Sequence, residues 1–297
     1  MKFQKNISIL VFCIIIVSLI ATTSGILSNH GPGAYEYQSV RGETVTIYGR
    51  GLYQHMSSEV AVQGIAQDYV TLFIGIPLLI AALFLVRKGS VKGKFLLTGV
   101  LGYFLVTYLF YLVMAMYNPL FLAYAFLMGA SFFGFTLAMF SFEVDSLPES
   151  FKENTPVKSA GVFLVAQSFL IAFLWLSIVV PPLINGEIYP QQVEHYTTLI
   201  VQGMDLGLLL PAAIISGILL IKKQTYGYLL GPVYFVFLSI LMTALTAKVI
   251  AMGISGYNII PVIFIIPTFA LISIFFSVLL IKNVIGKPGS AEKPLVI

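Results

Sequence analysis

Eight runs of roughly 20 apolar residues, separated by short polar connections, leave this chain one broad solution. A bilayer core about 30 Å thick is crossed by about 20 residues of helix, and in hydrocarbon each backbone N–H and C=O must be satisfied within the protein. The runs lie near residues 7–27, 69–87, 95–116, 119–142, 159–182, 199–221, 229–253 and 258–282. Between them, RKGSVKGK, EVDSLPESFKENTPVKS, INGEIYPQQVEHYTT and KKQTYGY carry the charges and turn formers that end a span. Composition agrees: 59% of the 297 residues are hydrophobic, 9% are charged and the mean hydropathy is +0.98, outside the soluble globular class. The expected fold is an all-α polytopic membrane protein of about eight transmembrane helices.

Orientation follows from the basic residues, because short cytoplasmic loops are enriched in lysine and arginine. With the N-terminus inside, one side collects Lys2, Lys5, Arg87, Lys88, Lys92, Lys94, Lys152, Lys158, Lys222, Lys223, Lys282, Lys287 and Lys293, against only Arg41 and Arg50 on the other. Both termini are expected to be cytoplasmic, in a multi-pass protein of the cell (plasma) membrane. The net charge of +4 is spread between apolar runs rather than gathered in a patch, so topology explains it and no nucleic-acid partner is expected. The lone cysteine, Cys13, lies in the first run and permits no intramolecular disulfide. That run also has the basic start, apolar middle and small following residues of a cleaved signal peptide. Retention is preferred, because the second half has a span in the corresponding place.

Residues 28–68 form the one large outer segment, and within it ETVTIYGRGLY alternates β-branched or aromatic residues with polar ones, which suits a short hairpin. The chain divides into a first four-span half, 1–142, a cytoplasmic linker, 143–158, a second four-span half, 159–282, and a cytoplasmic tail, 283–297. Landmarks recur in order through the halves: Gly42-Glu43 and Gly186-Glu187, Val-Gln-Gly at 62–64 and 201–203, Asp68 and Asp205, Pro77 and Pro211, Arg87-Lys88 and Lys222-Lys223, and Tyr117-Asn118 and Tyr257-Asn258. Four spans is an even number, so a direct repeat keeps its orientation and its axis runs along the membrane normal, as in parallel-repeat transporters. Spans two and six, which carry the polar motif, are expected to face that axis. Gly203 with Gly207, Ala213 with Gly217 and Ala130 with Gly134, each four residues apart, are expected at close helix contacts.

Few polar groups lie inside the runs. Asp205 and Lys248 each fall a few residues from the outer end of antiparallel neighbours, at a depth of about 9 Å for a rise of 1.5 Å per residue. A charge in the hydrocarbon costs about 2.5–3.5 kcal/mol on insertion scales, so the two are expected to face one another or a wet cavity. Counted back from Tyr-Asn, the position matching Lys248 is Tyr108, so Asp68 is expected to face a phenol. Gln63 and Gln202 complete the candidate pathway. His55 and His195 precede their Val-Gln-Gly motifs by nearly equal distances, which makes them weak candidates for a shared metal or haem iron.

No nucleotide-binding glycine loop, GxSxG, zincin motif or hydrolytic carboxylate pair is present, so no cofactor is expected and catalysis has little to stand on. The sequence reads best as a carrier or channel for a small solute or ion. Two alternatives stay open: a redox or cofactor subunit using His55 and His195, and a non-catalytic sensor or assembly factor that binds a protein partner through its outer segment. A second copy of the chain, beside the lipid bilayer itself, is a further candidate partner.

Overall fold

The computed structural model describes residues 1–285; the rest of the tail, with Lys287 and Lys293, lies outside the described residues. Eight helices are long and apolar enough to cross a membrane, and they define spans one to eight in chain order: Gln4–Leu27, Ser58–Arg87, Val91–Val113, Phe121–Met139, Val157–Asn185, Ile200–Ile221, Thr225–Ile254 and Val262–Lys282. The chain is a helical, multi-pass membrane protein.

Span two begins at Ser58, well before residue 69. Ser57 caps it by accepting from the Val60 N–H, and Glu59 complements the positive end of the helix. Gln63, Gln67 and Asp68 lower the local hydropathy and hide this first part of the helix, yet Ala61, Ala66, Gln67 and Asp68 are buried. The segment outside the spans therefore shrinks from 28–68 to 28–57. At 1.5 Å per residue the 30-residue span is about 45 Å long, so it tilts or rises above the bilayer core.

The outer segment contains a hairpin, but ETVTIYGRGLY supplies only its second strand, and Gly51–Tyr53 form a short 3-10 turn instead. Strand β1, Tyr35–Gln38, pairs antiparallel with β2, Thr44–Ile47, with Tyr35 opposite Ile47. In β2 the exposed Thr44 and Thr46 alternate with the buried Val45 and Ile47. The hairpin is tied to residues 186–199 of the second half. The Arg41 guanidinium donates to the carbonyls of Glu194, Tyr196 and Thr197 at 3.3, 2.8 and 3.3 Å, and the Tyr189 hydroxyl donates to the Arg41 carbonyl at 3.0 Å. The Ser57 N–H donates to the Tyr196 hydroxyl at 3.2 Å, and burial pushes that phenol's pKa up to about 12. Together these segments cap one end of the bundle. At the opposite, basic end, Phe151 bridges to Val284, and the Ile285 N–H donates to the Ser150 carbonyl at 2.8 Å.

Spans two and three are joined by the same tight turn that joins spans six and seven. Gly89 and Lys223 both have positive φ, 81° and 52°. The N–H groups of Ser90 and Gln224 donate to the carbonyls of Leu85 and Leu219. A Cβ on Gly93 would stand 2.6 Å from Leu85, and one on Gly227 would stand 2.4 Å from Leu219, so each glycine lets two helices touch along their backbones. Both spans also widen into a π turn, Thr71–Gly75 and Asp205–Leu209, two residues before Pro77 and Pro211. The extra residue eases the carbonyls away from a proline ring that would otherwise clash one turn back.

The first four spans meet the last four mainly through span seven, which packs against both span two and span three, rather than through a contact between spans two and six. A Cβ on Gly99 would lie 2.4 Å from Val236 Cβ and 2.8 Å from the Val233 carbonyl, so this glycine supplies the flat surface that the crossing needs. Gly203 and Gly207, expected at a helix contact, have open space where a Cβ would stand. Gly217 does sit in one, against Gly161 of span five, where a Cβ on either would fall within 2.7 Å of the other's carbonyl oxygen. Ala213, Ala130 and Gly134 are buried.

Candidate functional site

Asp68 sits inside the first half with 4% of its surface exposed. Three small features bring its partners to it. Gly51, at φ 56°, turns the outer segment back so that Tyr53 points into the bundle. Gly64 leaves room for the Tyr53 ring along span two, where a Cβ would meet it at 3.2 Å. Gly25 of span one leaves room for the carboxylate itself, since a Cβ there would come within 1.9 Å of Asp68 Oδ2.

The Tyr53 hydroxyl donates to Asp68 Oδ2 at 2.5 Å and the Tyr111 hydroxyl donates to Oδ1 at 2.9 Å. Each carboxylate oxygen thus has a phenol, and the two phenol oxygens stand 3.2 Å apart. Burial first, and then the Asp68 charge, hold the Tyr53 phenol protonated far above the ordinary tyrosine range. One turn deeper, Gln67 Nε2 donates to Tyr103 Oη at 2.8 Å and to Thr107 Oγ1 at 3.2 Å, and Thr71 Oγ1 lies 2.8 Å from Tyr103 Oη. Gln67 Oε1 is buried and takes no hydrogen bond from the described residues.

The second half is built differently. Asp205 opens the π turn, accepts from Trp175 Nε1 of span five at 2.8 Å and stays partly exposed. The Tyr234 hydroxyl donates to the Leu209 carbonyl at 2.8 Å, tying span seven to the last residue of the π turn. Lys248, on span seven, is also partly exposed. It lies within electrostatic reach of both carboxylates, with Asp205 the stronger influence and Asp68 the weaker. Asp205, Lys248 and Asp68 thus all lie within spans, and the direct Asp205 to Lys248 ion pair expected from depth alone is not formed.

Tyr108 does not face the Asp68 carboxylate. It stacks one turn away, 5.9 Å from Tyr111 and 6.1 Å from Tyr124 between ring centroids. The count from Tyr-Asn misplaces it because span three has 23 residues and span seven has 30, so no common register reaches from that landmark. Gln63 and Gln202 are half-buried and take no part in the hydrogen bonds of either aspartate. His195 places Nε2 at 3.1 Å from the His55 backbone carbonyl, so that imidazole nitrogen meets a peptide oxygen rather than a shared ion. Among the described residues no group of three or more His, Cys, Asp or Glu side chains is arranged to hold a metal.

Tyr53, Tyr111, Gln67 and Trp175 are the functional residues that sequence reasoning missed. Gln67 adjoins Asp68, and Trp175 is the only tryptophan, so each carried a signal. Tyr53 and Tyr111 carried none, because each reaches Asp68 from another element. Comparison with known proteins finds no family model, no curated protein and no solved structure that matches this chain.

Proposed function

We propose that this protein is a carrier or channel for a small cation or proton, built from two four-span halves that share one orientation. The carrying observation is that Asp68, Lys248 and Asp205 all lie within the spans, toward the capped end of the bundle. Charges at this depth are costly and are kept where they serve an ion pathway. With all three ionised, two carboxylates against one ammonium leave one negative charge over, which a bound proton or monovalent cation balances. Lys248 is the movable partner in this reading: when a cation neutralises one acid, its ammonium is released toward the other.

The duplicated architecture is supported by the shared turn, with one constant offset relating Gly89 to Lys223, Gly93 to Gly227 and Pro77 to Pro211. In that register Asp205 aligns with Thr71, not with Asp68, so the two acids arose at different helix positions. The cytoplasmic assignment of both termini rests on the lysines and arginines at the end of the bundle away from the hairpin, and a plasma-membrane location follows the same topology.

The test is flux in sealed vesicles that contain the purified protein and a pH or cation dye. Wild type is expected to dissipate an imposed gradient, and Asp205→Asn and Lys248→Met are each expected to lower the rate at least about tenfold, the scale of about 1.4 kcal/mol lost at one charged group. Rates equal to those of protein-free vesicles would reject the reading. A partner-binding role is favoured by one observation, the high exposure of Val40 and Ile188 at the capped end, 90% and 94%. Co-purification that is lost on Val40→Ser would support it.

A further inference from the structure

The oxygens around Asp68 make more contacts than an ionised acid and its neighbours have hydrogens to fill. Tyr53 Oη stands 2.5 Å from Asp68 Oδ2 and 3.2 Å from Tyr111 Oη. Tyr111 Oη stands 2.9 Å from Asp68 Oδ1 and 3.0 Å from the Gly64 carbonyl oxygen. Each phenol carries one hydrogen, so the two tyrosines supply two hydrogens for these four contacts. With Asp68 ionised, both go to the carboxylate, and Tyr111 Oη then faces the Gly64 carbonyl with no hydrogen between the two oxygens.

One added hydrogen resolves this. Placed on Asp68 Oδ1, it is donated to Tyr111 Oη, Tyr111 donates in turn to the Gly64 carbonyl, and Tyr53 still donates to Oδ2. Three hydrogens then fill the three shortest contacts, and only the longest, between the two phenols, is left without one. The Gly64 carbonyl can take this bond beside its helix bond, because a carbonyl oxygen has two lone pairs. No heavy atom differs between the two forms.

The surroundings of the carboxyl carry little charge. Span one presents Gly25, span three presents Tyr103, Tyr108 and Tyr111, and span four presents Tyr124, whose ring centroid lies 5.1 Å from that of Tyr111. Span seven, which packs on span two, contributes Lys248, which is partly exposed and makes no ion pair with Asp68 among the described residues. On span two itself, Glu59 and Arg87 lie nine and nineteen residues away, at least about 13 Å along the helix. An ionised Asp68 would be a buried charge without a counter-ion in contact, whereas a neutral acid needs none.

We propose that the Asp68 carboxyl is a proton-binding site that holds a hydrogen on Oδ1, so that Tyr53, Asp68, Tyr111 and the Gly64 carbonyl form one directed chain of hydrogen bonds from the outer segment to the backbone of span two. With that proton bound, Asp205 and Lys248 are left as one charge of each sign. The site does not depend on the carrier reading, since the proton is held whether or not a solute crosses the protein.

The chain has only three aspartates, Asp68, Asp145 and Asp205, which makes the proton visible. The full-length protein, isotope-labelled at the aspartate side-chain carboxyl, is placed in vesicles at neutral pH, and the carbonyl stretch of protonated aspartic acid is recorded by infrared spectroscopy. A labelled acid band is expected in wild type and in Asp205→Asn, and its loss is expected in Asp68→Asn. In Tyr111→Phe the band should persist but move to higher frequency, because the acid has lost its acceptor. Absence of the band from wild type would overturn the proposal, and so would a band that survives Asp68→Asn unchanged. If Asp68→Asn does not fold, Tyr111→Phe decides, and a band that stays in place there overturns the proposal. No gradient is imposed, so failure here and failure of the flux assay are separate results.

Discussion

Asp68 in span two and Asp205 in span six lie near the same end of the bundle, yet one is sealed and the other is open. Asp68 has a phenol on each oxygen, a glycine face against its carboxyl and almost no exposed surface. Asp205 has one indole donor and keeps contact with its surroundings. A carboxylate without water must be satisfied by fixed donors, and such donors also hold it in place. One that keeps access can exchange partners. On the proposed carrier reading, Asp68 is the fixed acid and Asp205 the one that meets what enters.

The largest expected effect comes from Gly25. Gly25→Ala drives a methyl group into the Asp68 carboxylate and should destabilise the protein by about 1–3 kcal/mol, read as a lowered Tm in detergent. An unchanged Tm would mean that the carboxylate is not seated there. Next, Tyr111→Phe strips a donor from a buried carboxylate and should cost about 1–3 kcal/mol. Trp175→Phe at the open acid should cost less, about 0.5–1.5 kcal/mol, because water can replace the indole. Denaturant unfolding of the two variants ranks them, and the reverse order would break the contrast between the acids.

Smaller effects concern the cap that holds Tyr53 over Asp68. Arg41→Ala removes the donor to three carbonyls and should cost about 1 kcal/mol, with faster amide exchange at residues 35–47 and 186–199 and little change in the spans. Least of all is a pH effect at Tyr196. Its phenol titrates near 10 when unfolded and about 12 when folded, so its stabilising contribution is complete below pH 10 and is lost as pH rises toward 12. Amide exchange at 186–199 should quicken over that window, and Tyr196→Phe should remove the part of the rise that belongs to this group.

Much of this architecture was legible in the sequence, because hydrophobic run length is a direct physical requirement of the bilayer. The eight spans and the second hairpin strand, Thr44–Ile47, were read from run length and alternation, whereas the first strand, Tyr35–Gln38, lies outside the stretch ETVTIYGRGLY on which the hairpin was expected. The start of span two was not, since Gln63, Gln67 and Asp68 look like a polar connection until the fold buries Gln67 and Asp68. Nor was the contact between the first four spans and the last four: a shared polar motif pointed to spans two and six, whereas span seven packs on both span two and span three, the latter at Gly99. The phenols on Asp68 were misassigned for a related reason. Tyr108 was chosen by counting along the chain, but Tyr111 and Tyr53 are selected by the space that Gly64 and Gly25 leave.

The most direct measurement of the difference between the two acids is their reactivity toward a hydrophobic carbodiimide in intact vesicles, followed site by site with peptide mass spectrometry. Asp205 should be modified readily and Asp68 hardly at all, with the Asp68 rate rising in Gly25→Ala. Modification of Asp68 at a rate equal to or above that of Asp205 in the unaltered protein would contradict the division into a sealed anchor and an open acid.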